Sequence, residues 1–158
     1  MSVEIVNHLL NVATDAGISC HDLTPQIREL LATSGVRQGF VVAASRHTTT
    51  ALVINENEQR LLVDVQRFFA RLVPAGDAYL HNDIHLRQCP PDEPQNAHSH
   101  LIAMLLGSSE ALPVIDGELA LGTWQSLLLV ELDGPRTRTV TVQICGSIGG
   151  GVAPRQSS

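Results

Sequence analysis

Apolar and polar positions follow one another along this chain in patterns that assign most of its elements. Val3, Ile5, Leu9, Leu10 and Val12 mark a first strand within residues 3–13. Thr24 stands as a helix N-cap with Pro25 at the first helical position. Ile27, Leu30 and Leu31 then recur at helical spacing and Gly35 closes the segment, so a short amphipathic helix is predicted. Phe40 to Ala44 is a continuous apolar run, the mark of a buried strand, and Thr48 to Ile54 is a second strand rich in β-branched residues. From Asn55 or Asn57 onward the period changes. Leu61, Leu62, Val65, Phe68, Phe69 and Leu72 fall on one helical face, which Pro74 and Gly76 end.

The second half reads differently. Tyr79 to Arg87 is extended or irregular, and the proline-rich stretch from Cys89 to Pro94 must be loop. Asn96 caps a third helix that runs to about Leu106 and stops at Gly107. Strands follow at 112–115, 118–121, 124–132 and 138–145, with turns at Asp116-Gly117 and Asp133-Gly134-Pro135. Their close spacing predicts antiparallel hairpins. The order of elements is α+β rather than alternating βαβ, with one core and no internal repeat. The domain is expected to occupy 1–146, with 147–158 a tail of linker composition.

Composition narrows the function. The chain has 158 residues, about one domain's worth. Only 3% are aromatic, so the core must be built from Val, Leu, Ile and Ala. Charged residues are 16%, low enough to suggest surface buried against other copies of the chain. The net charge is −6, every cation is Arg, and no basic stripe forms, which argues against nucleic acid as a partner. One or two Arg can still grip a small anion. No apolar run approaches the roughly 20 residues of a membrane span, and no basic n-region precedes an apolar stretch. Cys20, Cys89 and Cys145 are odd in number and widely spaced, as expected of reduced thiols in a cytoplasmic protein.

The candidate chemistry lies in the histidines. His81, His85, His98 and His100 crowd one stretch beside Asp83, Asp92 and Glu93. Such groups ligate divalent metals, and they also serve as acid–base catalysts near neutral pH. The alternative is a set of solvated loop histidines. His98 and His100 open a helix, where two residues turn through about 200°, so at most one of them faces a shared site. His81, Asp83, His85 and Arg87 share one face if their segment is extended. His47 ends a strand beside Thr48, Thr49 and Thr50. Gln125 and Glu131 lie on one pleat face of a core strand, with Leu127 and Leu129 between them. Arg136 and Arg138, next to a turn, could grip an anion or simply be solvated. No Walker loop, Gly-x-Gly-x-x-Gly, Gly-x-Ser-x-Gly or His-Glu-x-x-His is present.

In order along the chain, four blocks resemble one family. They are His47-Thr48-Thr49 with Asn55-Glu56-Asn57, then Tyr79-Leu80-His81, then Ser99-His100-Leu101 with Leu106-Gly107-Ser108-Ser109. The last is Gly122-Thr123-Trp124-Gln125 with Glu131 and Asp133-Gly134-Pro135-Arg136. The pattern is similar to that of the YjbQ-like family, also called the secondary thiamine-phosphate synthase family. The resemblance implies an α+β fold of two sheets packed as a sandwich with flanking helices, assembled as a homotrimer. It implies a site on His47, His81, His100 and Glu131 as catalytic groups, the three His also as ligands of a divalent metal, Zn²⁺ or Mg²⁺. Asn55, Glu56, Gln125 and Arg136 would bind substrate, a small phosphorylated or anionic molecule. The implied activity is a transferase reaction that joins a pyrimidine diphosphate to a thiazole phosphate. A non-catalytic trimer that binds a metal or small ligand is the alternative. His85 and His98 fall outside the shared pattern.

Overall fold

The computed structural model describes residues 2–149. β1 (Val3–Ala13), β2 (Gly17–Asp22), α1 (Thr24–Ser34), β3 (Val36–Ser45), β4 (Thr50–Asn55) and α2 (Gln59–Leu72) form the first half. α3 (Ala97–Leu106), β5 (Ser109–Ile115), β6 (Glu118–Leu119), β7 (Ser126–Gly134) and β8 (Thr137–Ile148) complete it. The strands make two antiparallel sheets, β1-β8-β3-β5-β6 and β2-β7-β4. This is an α+β fold.

β7 explains the layering. Leu127 and Leu129 point into one core while Val130 and Leu132 point into another, and Leu128 is buried beside Val130, so a run buried on both faces reads as unbroken apolar sequence. The first core lies between the sheets, with Ile27 and Leu31 of α1 closing it. The second core, which the pattern did not predict, lies where α2 and α3 cover the outer face of the three-stranded sheet with Phe69, Ile102 and Ala103. Phe40 is 45% exposed and Ile5 60%, so the outer face of the five-stranded sheet is uncovered and mixes such apolar side chains with Asn7, Asn11, Thr139 and Gln143. In the run Phe40 to Ala44, only Val41 and Ala43 are buried.

Several expectations change. β2 was not anticipated, because Ser19, Cys20 and His21 carry no clear alternation. The turn at Asp133-Gly134-Pro135 makes no hairpin: β7 pairs with β2 and β4, and β8 with β1 and β3, so this turn carries the chain from one sheet to the other. The strand expected from Trp124 begins at Ser126, and Trp124 is exposed. The second helix is capped by Glu58, which accepts from Arg60 N and Leu61 N at 2.8 Å. Residues 80–82 and 84–86 are 3₁₀ turns, so His81, Asp83, His85 and Arg87 do not share a strand face. β8 continues to Ile148, beyond Gly146, and the remainder of the expected tail, 150–158, lies outside the described residues. Among the described residues no helix is long and apolar enough to cross a membrane.

Candidate functional site

The site is built on an ion pair between the sheets. Glu131 continues the inward face of Leu127 and Leu129, and its carboxylate is fully buried. Arg138, on the inward face of β8 with Val140 and Val142, donates from Nε to Oε2 and from Nη2 to Oε1, each at 2.6 Å. Leu132 N and Asp133 N donate to Oε1 at 2.9 and 2.8 Å, and Thr14 Oγ1 donates to Oε2 at 2.7 Å. Burial alone would raise the Glu131 carboxyl, but hydrogen bonds from Arg138, Asp133 N–H and Thr14 outweigh it and hold it below the ordinary range. With five donors on two oxygens, Glu131 is an anchor, not an available base. It touches no histidine directly.

The β3–β4 loop is strapped to the strand that carries Arg138. Arg46 N donates to Thr139 O at 3.1 Å, and Thr139 N donates to His47 Nε2 at 2.8 Å. Because Nε2 accepts, the neutral ring carries its proton on Nδ1. Burial and then the Arg138 guanidinium hold His47 below its ordinary range, with Glu131 opposing and Arg46 and Arg136 adding to the lowering.

His100 and His81 meet across a second tie. Asn96 stands at the N-cap of α3, but its Nδ2 donates to Asp133 Oδ2 at 2.8 Å. Asn82 Oδ1 instead accepts from Ala97 N at 3.1 Å, which fastens the 3₁₀ turn to the helix start. That tie sets the His81 ring edge-on to His100, with centroids 4.8 Å apart. His81 Nε2 is buried without a partner. Burial, then His81, lowers the His100 imidazole, against the pull of Asp133 and of the Thr48 backbone.

His47, His100, Thr48, Thr50, Met104 and Ser108 line an open cleft of about 440 Å³. His100 also walls a neighbouring, more apolar cleft with His81, Tyr79, Leu80 and Leu101. The three predicted histidines therefore stand in a row with His100 in the middle. His98 lines neither cleft, as the helix rotation requires, and neither do His85 and the loop 88–95.

The remaining candidates separate. In β4, Thr50 pairs with Glu131 but Asn55 pairs with Ser126, so Asn55, Glu56 and Gln125 stand at the opposite end of the strands, about 17 Å away at 3.4 Å per residue. Gln125 Oε1 is occupied by Gly122 N at 2.8 Å. Arg136 spends its guanidinium on Asp133, Nη2 to Oδ2 at 2.7 Å and Nε to the carbonyl at 2.9 Å. A three-histidine metal shell does not fit within one chain. His47 Nε2 is committed to Thr139, and among the described residues no three His, Cys, Asp or Glu side chains are gathered to hold an ion. Sequence reading missed Thr139, Asp133 and Asn82, whose parts are local hydrogen bonds. The pairing of Arg138 was legible: a Glu on an apolar inward face demands a buried donor set, and Arg138 alternates with Val140 and Val142.

The sequence profile described as UPF0047 protein YjbQ-like matches residues 8–147. A UPF0047 protein of Methanothermobacter thermautotrophicus is 41% identical over 144 residues, covering 91% of this chain and 94% of its own. One from Archaeoglobus fulgidus is 43% identical over 134 residues, covering 85% and 97%. The crystal structure of a Sulfolobus solfataricus protein, described as YbjQ-like and of unknown function, superposes with a TM-score of 0.83 at 33% identity, over 92% of this chain and 100% of that one. A hypothetical protein from Aeropyrum pernix superposes with a TM-score of 0.81 at 36% identity, over 90% and 99%. On its sequence and its fold together, the chain belongs to the YjbQ-like UPF0047 family.

Proposed function

We propose that the His47–His100 cleft binds a small phosphorylated or otherwise anionic molecule, and that the protein is an enzyme acting on it. The surroundings of His47 carry this reading. His47 adjoins Arg46, which takes part in no ion pair among the described residues, whereas Arg136 and Arg138 are paired with Asp133 and Glu131. Thr48 and Ser108 line the same cleft, while the Thr50 hydroxyl is bonded to Ser45 Oγ. With Nε2 occupied, His47 offers Nδ1–H as a donor. Donors without a carboxylate in the lining suit an oxyanion. His100, beside Asp133, is placed to move a proton near neutral pH.

The family resemblance names the reaction: thiamine-phosphate synthase-like transfer, in which a pyrimidine diphosphate joins a thiazole phosphate and pyrophosphate leaves. The cleft would hold the anionic group. A divalent cation such as Mg²⁺ would arrive on the diphosphate oxygens and neutralise the leaving group. The homotrimer implied by the same resemblance is supported by Ile5, Leu9 and Phe40 exposed on the uncovered sheet face, and a reducing, cytoplasmic setting by three cysteines that are all free.

The test has two arms. Pyrophosphate is titrated into the protein while the ring nitrogens of His47 and His100 are followed by ¹⁵N NMR; both should shift saturably, with His47 protonated on Nδ1. Turnover of the two phosphorylated substrates is read by product fluorescence after oxidation, and His100→Ala should abolish it. Rings that ignore pyrophosphate would sink the anion reading. Saturable binding without turnover favours the second reading, a non-catalytic ligand-binding trimer, for which the unavailability of Glu131 as a base already speaks.

A further inference from the structure

We infer that the cavity beneath α2 is a second ligand site, separate from the histidine cleft, for a short linear primary alkylammonium ion. The cavity lies between α2 and the outer face of the three-stranded sheet, with Val53 and Val130 as floor and Leu62 and Phe69 as roof. Its volume is about 100 Å³. At roughly 30 Å³ for a group the size of a water or a methylene, that admits a chain of about three or four carbons and excludes a bulkier ring.

The lining is almost wholly apolar, so water inside would lack the two to four polar partners it needs, at about that number per buried water. Two exposed residues form the rim, Asn55 and Glu56. Asn55 Oδ1 accepts from Glu56 N at 2.8 Å, which fixes the rim backbone. Among the described residues Glu56 takes part in no ion pair, the pairs being Arg67–Asp64, Arg136–Asp133 and Arg138–Glu131. An apolar throat with one free carboxylate at its mouth is complementary to an aliphatic tail ending in a cation.

Two polar ties keep the roof from collapsing onto the floor. Just before α2, Asn57 Nδ2 donates to Asp22 Oδ2 of β2 at 3.3 Å. Midway along the helix, Gln66 Nε2 donates to Ile18 O of β2 at 2.7 Å. Between these ties the helix spans the cavity rather than sinking into it. The site also gives a place to Asn55 and Glu56, which stand too far from His47 to serve its cleft within one chain.

n-Butylammonium chloride is titrated into the full chain and the methyl signals of Val53, Leu62 and Val65 are followed by NMR. A saturable one-to-one shift is expected, with His47 and His100 unmoved, and none with methylammonium, which has no tail. Glu56→Gln, an exposed rim change, should weaken butylammonium about threefold, the scale of a solvent-exposed ion pair, and leave n-butanol binding as it was. Val53→Phe, which fills the throat, should remove binding of both. Absence of a saturable shift, shifts confined to the two histidines, or unchanged butylammonium affinity in Glu56→Gln would each overturn the inference. Because none of these readouts uses the histidine cleft, failure here leaves the anion reading standing.

Discussion

Arg138→Met is the most informative single change. It removes the guanidinium and keeps most of the aliphatic length between the sheets. Glu131 then loses two charged donors and Thr49 Oγ1 loses the Nη2 donor at 2.9 Å, while Thr14 and the N–H groups of Leu132 and Asp133 remain on the carboxylate. Breaking a buried pair on one side costs about 3–5 kcal/mol, and the three surviving donors place the expected loss at the lower end, about 3 kcal/mol. For a chain of this size, 1 kcal/mol moves the thermal midpoint by about 2–4 °C, so a drop of about 6–12 °C is expected. Urea unfolding and thermal scans at one fixed protomer concentration measure it, since association would otherwise shift both. The double variant Glu131→Gln with Arg138→Met should recover part of the loss, because no charge is left buried and the amide oxygen can still accept from Leu132 N and Asp133 N. A single variant within about 1 kcal/mol of the parent, at the scale of an ordinary surface change, would refute the reasoning, as would a double variant no better than the single one.

Stability should also fall on acidification, in two stages. His47 and His100 are held below their ordinary range in the fold, so the unfolded chain takes up protons first, and stability declines as pH drops below about 6.5. Glu131, likewise depressed, contributes stability that is fully present above its ordinary unfolded value and lost as pH falls through its lower folded value; urea midpoints from pH 8 to pH 3 check both stages, and a rise toward acid would contradict them. Sedimentation should give three times 17.0 kDa, and Phe40→Glu on the uncovered sheet face should lower that mass; a monomer in the parent chain at micromolar concentration would exclude the trimer.

Sequence by itself determined the elements whose burial is periodic. Ile27, Leu30 and Leu31 with Gly35, or Leu61 to Leu72 with Pro74, specify a helix because one face must find a core and its ends must be closed. The same physics allowed only one of His98 and His100 to face a shared cleft, since two residues along a helix cannot face one way; the family resemblance pointed to His100. What only the tertiary structure decided were matters of pairing between distant segments. Nothing local distinguishes a hairpin from a turn that changes sheets, so β7 and β8 were expected to pair when each instead joins a different sheet. The hydrogen bond from Thr139 to His47 joins residues far apart in the chain, yet it sets which nitrogen of that ring carries the proton. The distance from His47 to Asn55 follows from strand register: one motif was split across the length of β4, because an extended strand advances farther per residue than a helix does.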